Sequence, residues 1–154
     1  MSKKIRVHIG EAEEIEFDAA LTVLDLTKHL EPDLETFVFV VGEDEPLREE
    51  IVIVELIEGG HREIVHSACR KVKVDVMYLT GIKEGVFAPS VKIGRIKKVF
   101  VEQFGIDPIS APDMGLFLDK DPNPLDDQRP LQFYLKKGVC SIRLELATKE
   151  GWQG

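Results

Sequence analysis

The sequence predicts an α+β fold built as two similar halves, and three observations carry that prediction. Ile5, Val7 and Ile9 alternate with polar residues up to Gly10, and Val72, Val74, Val76 and Tyr78 alternate in the same way up to Gly81. A period of two is the mark of a half-buried strand. Each of these runs is followed by a second short apolar run and then by a segment with helical spacing, so the same programme starts twice. Pro46-Leu47 and Gly60 also recur as Pro124-Leu125 and Gly138 at one constant offset, the kind of self-similarity that marks an internal repeat.

In chain order, Ile15 and Phe17 complete a first hairpin with the opening strand. Thr22 is placed to cap a helix over 23–30, with Asp25 at its third position and Pro32 as the stop. Phe37 to Val41 is almost continuously apolar, which suits a strand covered on both faces. Ile51 to Ile57 reads as a further β-branched strand, with Gly59-Gly60 as a tight turn into Ile64-Val65. In the second half Val86-Phe87 closes a hairpin, and Ser90 is the expected N-cap of the next helix. Ile93, Ile96, Phe100 and Phe104 fall on one face of that helix, while Arg95, Lys98 and Glu102 point away. Gly105 and Pro108 end it. Met114 to Leu118 corresponds to Phe37 to Val41, and the last strand places Ile142, Leu144 and Leu146 on one face, with Arg143 and Glu145 on the other.

Strand, strand, helix and further strands, with one amphipathic helix per half, describe a sheet packed across a helix: a β-grasp. The expected units are residues 1–69 and 70–154, the second carrying a tail over 148–154. They are joined near Cys69 to Lys71 by a link without Pro, Gly or Ser, hence short and stiff. The alternative is one larger α+β domain. A length of 154 residues fits either two small domains or one of medium size.

Composition narrows the function classes. The formal charge of −8 disfavours nonspecific binding to nucleic acid or an anionic membrane, since both attract basic surfaces. No apolar run approaches the roughly 18 residues of a membrane span, and the Met-Ser-Lys-Lys start lacks a secretory pattern, so a cytoplasmic protein is expected. Cys69 and Cys140 lie far apart and read as buried free thiols. His61, His66 and Cys69 invite a zinc site, but in a strand His66 and Cys69 face opposite sides. Asp119, Asp121 and Asn123 begin like a calcium loop, yet Pro124 and Pro130 stand where the glycine and the bidentate acid belong. No nucleophile–base grouping stands out, so no catalytic residue, metal or cofactor is expected. The basic positions Lys92, Arg95, Lys97 and Lys98 on the second helix are most simply a solvated face; the functional alternative is a docking patch of Lys92, Arg95 and Lys98 for an acidic partner.

The chain closes with a strand and the tail Lys149-Glu150-Gly151-Trp152-Gln153-Gly154. The joining segment His66-Ser-Ala-Cys-Arg-Lys-Val-Lys-Val-Asp-Val-Met-Tyr, the Phe-Ala-Pro-Ser ahead of the second helix, and Gly154 resemble bacterial tandem ubiquitin-like proteins. These belong to operons of the Bil type, which encode a ubiquitin-like conjugation pathway for antiphage defence, and are similar to the interferon-induced two-domain modifier of vertebrates. The resemblance implies that an activating enzyme adenylates Gly154 and carries it as a thioester. A conjugating enzyme would then pass it to an amine on a target, with phage structural proteins as candidates, and a metal-dependent peptidase would reverse the bond. Gly151, Trp152 and Gln153 would be read by those enzymes, with Trp152 as the anchor. Ubiquitin instead ends in an Arg-rich stretch and a diglycine, so a dedicated set of enzymes is expected. The competing function is a noncovalent β-grasp scaffold with an idle tail.

Overall fold

The computed structural model describes residues 4–150. The first half contains β1 (Lys4–Gly10), β2 (Glu13–Asp18), α1 (Val23–Leu30), β3 (Phe37–Val40), α2 (Ile53–Glu58) and β4 (Glu63–Ser67). Its strands form a sheet in the order β2-β1-β4-β3. The second half contains β5 (Val72–Tyr78), β6 (Gly81–Phe87), α3 (Ile93–Gln103), β7 (Met114–Phe117) and β8 (Ser141–Thr148), with single 3-10 turns at Ala111–Asp113 and Leu131–Tyr134. Its order, β6-β5-β8-β7, repeats the first. In each sheet the first and last strands run parallel at the centre and antiparallel partners flank them, which makes both sheets β-grasps.

The repeat is written in backbone hydrogen bonds as well as in residues. Leu47 N donates to Val38 O at 2.7 Å, and Leu125 N to Leu116 O at 2.8 Å. The loop after β3 ties to the start of α1 through Val23 N to Ile51 O (2.9 Å) and Leu24 N to Glu49 O (3.0 Å). Its counterpart ties to α3 through Ile93 N to Arg129 O and Gly94 N to Asp127 O, both 3.0 Å. Gly60 and Gly138 have φ of +94° and +79°, the left-handed region in which glycine is favoured.

Three local readings are corrected. Residues 53–58 are helical, because a short run that is apolar apart from Glu55 and Glu58 fits a helix as well as a strand. Ile53 N and Val54 N donate to Leu21 O (2.9 Å) and Ala19 O (2.6 Å), so the first helical donors are satisfied, and Ile53 and Ile57 are buried one turn apart. Gly59-Gly60 is therefore a helix stop rather than a hairpin turn. His61 N reaches Leu56 O and Gly60 N reaches Ile57 O, the paired bonds of a Schellman cap. The third correction is Ser90, which does not cap α3: Lys92 is the N-cap residue, without a side-chain cap bond. Arg129 O and Asp127 O already accept from the first turn of α3, and the buried Ser90 hydroxyl instead donates to Glu43 O in the first half.

The cysteines are also corrected: Cys69 and Cys140 form a disulfide, with Cα atoms 5.5 Å apart. Lys73 N donates to Cys140 O at 2.9 Å, and Lys73 pairs with Ser141. The parallel register of β5 and β8 thus brings two residues far apart in sequence to the same end of the sheet.

The two halves pack against each other. Val38 and Val40 enter the core under α1, while Phe39 and Val65, on the opposite face of the same sheet, join the core of the second half. This is the two-faced burial that the apolar run over 37–41 predicts. Glu11 N to Leu135 O and Ala12 N to Phe133 O, both 2.8 Å, pin the β1–β2 turn to the second half. Gly10 (φ +112°) sits so close that an added Cβ would lie 2.8 Å from Leu135 O. Arg129 bridges to Glu14 at 2.5 Å while its guanidinium lies 4.5 Å from the centre of the Phe133 ring, an ion pair and a cation–π contact from one side chain.

Candidate functional site

β8 is the strand that carries the chain toward its tail, and it is held on both sides. Lys73 to Met77 of β5 pair with Ser141 to Glu145, and Met114 to Phe117 of β7 pair with Glu145 to Thr148. Leu144 and Leu146 are buried beneath α3, as their alternation predicts. Lys149 N donates to Asp113 O at 2.8 Å, continuing the ladder one residue beyond the strand. There the chain borders an open cavity of about 500 Å³ lined by Pro112, Asp113, Thr148, Lys149 and Glu150. Gly151, Trp152, Gln153 and Gly154 lie outside the described residues.

The basic positions at the start of α3 and along it differ in their surroundings. Lys92, Arg95 and Lys98 are exposed, but Arg95 is engaged with Asp44 of the first half at 3.1 Å. Lys97 is tied to Asp127 at 2.8 Å and to Met114 O at 3.4 Å. Lys92 borders a cleft between the halves, and Lys98 flanks an apolar groove walled by Val101, Ile106 and Pro108.

Sequence reasoning missed an exposed apolar surface on the second sheet. Leu79, in the β5–β6 turn with φ +53°, is 80% exposed, and Ile82 and Val86 on β6 are 52% and 65% exposed. Ile82 pairs with Met77 and Val86 with Lys73, so both sit on the face turned away from α3. The signal was present in the alternation of Ile82, Glu84 and Val86, but a period of two does not say which face meets water.

The buried histidines are structural. Burial pushes the His66 pKa down to about 4, so its ring is neutral at pH 7, and Nε2 lies 2.9 Å from Thr36 Oγ1. His8 is fully buried, with ring nitrogens 3.6 and 3.5 Å from Glu14 and Glu63 and the Phe133 ring edge-on at 6.0 Å. Its pKa is lowered by burial, against the opposing pull of the two carboxylates. Among the described residues no His, Cys, Asp and Glu side chains cluster to hold a metal.

Two β-grasp sheets in tandem, the last strand central in the second, define a ubiquitin-like protein of two domains. The family model described as BilA ubiquitin-like domain 2 matches residues 73–149, half of the chain. The chain belongs to this BilA ubiquitin-like family, and it is a ubiquitin-like modifier, not an enzyme. Among solved structures it is similar to the ubiquitin of Caldiarchaeum subterraneum, at 15% identity over 51% of this chain and 92% of that one, with a TM-score of 0.42. It is also similar to a de novo design based on ubiquitin, at 17% identity over 55% and 95% of the two chains, with a TM-score of 0.41. No curated protein matches.

Proposed function

We propose that this modifier works through covalent conjugation of Gly154 in the bacterial cytoplasm, as part of antiphage defence. Residues 1–69 and 70–154 serve as its two recognition bodies. An activating enzyme joins the Gly154 carboxylate to the AMP portion of ATP, releasing pyrophosphate. A cysteine thiolate then displaces AMP to give a thioester, which a conjugating enzyme accepts. A target amine, most simply a lysine on a phage structural protein, displaces that thiolate to form an amide, and a metal-dependent peptidase hydrolyses the amide. Glycine suits the reacting position because the absence of Cβ lets the tail enter a narrow channel and leaves its carbonyl open to attack. Gly151, Trp152 and Gln153 would be read in that channel, by backbone pairing and by the indole filling a pocket.

The observation that carries this reading is the placement of β8. The strand is clamped between β5 and β7, and its ladder continues to Lys149, so a folded body holds the chain in place as far as Lys149. The test is incubation with the activating enzyme and ATP. A thiol-sensitive adduct should form with the natural chain, and Gly154→Phe should lower its rate at least about a hundredfold, on the order of 2.7 kcal/mol, without changing the melting curve. Equal rates would reject the tail mechanism.

Ile82 and Val86 on one face of the sheet, with Leu79 exposed in the adjoining turn, favour a second reading, noncovalent scaffolding, because exposed apolar patches mark partner surfaces. Deleting residues 149–154 separates the two readings: scaffolding survives it and conjugation does not.

A further inference from the structure

We infer that the cleft between the two domains is a docking site for a short acidic segment of a partner protein. The cleft encloses about 530 Å³, and its cationic side chains come from both domains: Lys4, Arg6 and Arg62 from the first, Lys92 from the second. The acids on its wall are Glu16 and Glu63. Glu63 is committed, since Arg6 binds it at 3.0 Å while also reaching Glu14 at 3.2 Å. Lys4, Arg62 and Lys92 form no ion pair among the described residues. Arg62 is nonetheless held in place, because its Nη1 donates to Ile57 O at 2.8 Å and His61 O at 3.2 Å. One of those carbonyls, Ile57 O, belongs to the last turn of α2 and the other, His61 O, to the segment just after it, so the guanidinium is oriented while no carboxylate pairs with it.

The net charge of −8 decides which anion fits. A long polyanion such as nucleic acid would feel the whole negative surface and be repelled. A short acidic peptide would lie within roughly a Debye length, about 10 Å at 0.1 M salt, of the local cations. Because Lys92 sits across the domain boundary from Lys4 and Arg62, the site is complete only when both domains hold their packed arrangement. The inference stands apart from tail chemistry, since it requires neither Gly154 nor an enzyme.

The experiment is fluorescence anisotropy of a labelled hexaglutamate peptide with the full chain at about 0.1 M salt, beside labelled hexalysine and a single-stranded oligonucleotide of similar length. Hexaglutamate should bind saturably, more tightly than either other probe. The variant Lys4→Gln, Arg62→Gln, Lys92→Gln should weaken it at least about tenfold, about 1.4 kcal/mol, and Lys92→Gln alone should weaken it measurably. A control carrying Lys28→Gln, Lys71→Gln and Lys136→Gln loses the same charge elsewhere and should stay within about twofold, well under that 1.4 kcal/mol. Thermal melts establish that each variant folds. Unchanged binding in the cleft variant, equal loss in the control, no effect of Lys92→Gln, or tighter binding of the oligonucleotide would each overturn the inference.

Discussion

At the scale of the residue, His66 shows how burial turns a titratable side chain into a stability device. Its pKa is about 4 in the folded chain against about 6.5 when exposed, so between those values the unfolded chain binds a proton that the folded chain refuses. Stability from His66 is therefore complete above about pH 6.5 and is lost as pH falls toward 4, at about 1.4 kcal/mol per unit. Replacement by Gln keeps an amide that can donate to or accept from the Thr36 hydroxyl and removes the titration. In urea denaturation the natural chain's advantage over His66→Gln should shrink by about 2 to 3 kcal/mol between pH 7 and pH 4.5. A difference independent of pH would contradict this assignment. His8 adds pH dependence of the same sign through its own lowered pKa. In the sequence His66 resembled a possible metal ligand, and its partner Thr36, thirty residues earlier, had no local signal.

At the scale of the element, the parts that were legible are those whose chemistry is local. Thr22 and Asp25 form the capping box of α1, Gly105 ends α3 with φ +69°, and the alternation over 72–78 is β5. Residues 51–57 were misread because consecutive β-branched residues satisfy both periods, and the arbiter is the Leu21 and Ala19 carbonyls that receive the helix start. The disulfide was illegible for a related reason. Cys69 and Cys140 are separated by 71 positions, and only the parallel pairing of β5 with β8 makes them neighbours. Closing a loop of that length restricts the unfolded chain, by about 2 to 4 kcal/mol in typical cases. Dithiothreitol should therefore lower the melting temperature of the natural chain and leave that of Cys69→Ser, Cys140→Ser unchanged. An insensitive natural chain would show that the bridge contributes nothing. In the cytoplasm proposed for this chain, reductants would favour the open thiols, so the proposed conjugation is to be tested on both the bridged and the reduced form.

At the scale of the whole molecule, the repeat was readable while the packing of its copies was not. The constant offset between Pro46-Leu47 and Pro124-Leu125 survives as equivalent hydrogen bonds at 2.7 and 2.8 Å. Nothing local announced that Arg95 would pair with Asp44, Arg129 with Glu14, or Lys137 with Glu13. The only forewarning was the unbroken apolar run over 37–41, too hydrophobic for a sheet with one wet face. The resulting body places β8 at the centre of the second sheet, leaves Ile82 and Val86 open on its far face and exposes Leu79 in the β5–β6 turn. The central claim is that this body delivers Gly154 to an amine. Trypsin cleaves after Lys149, so a lysine modified by this chain would retain residues 150–154 on its ε-amino group. Mass spectrometry of trypsin-digested cells carrying the activating and conjugating enzymes should find that five-residue remnant on lysines of other proteins, and should lose it when the activating enzyme's cysteine is replaced. Recovery of the tail solely as a free peptide, with both enzymes active, would contradict the account.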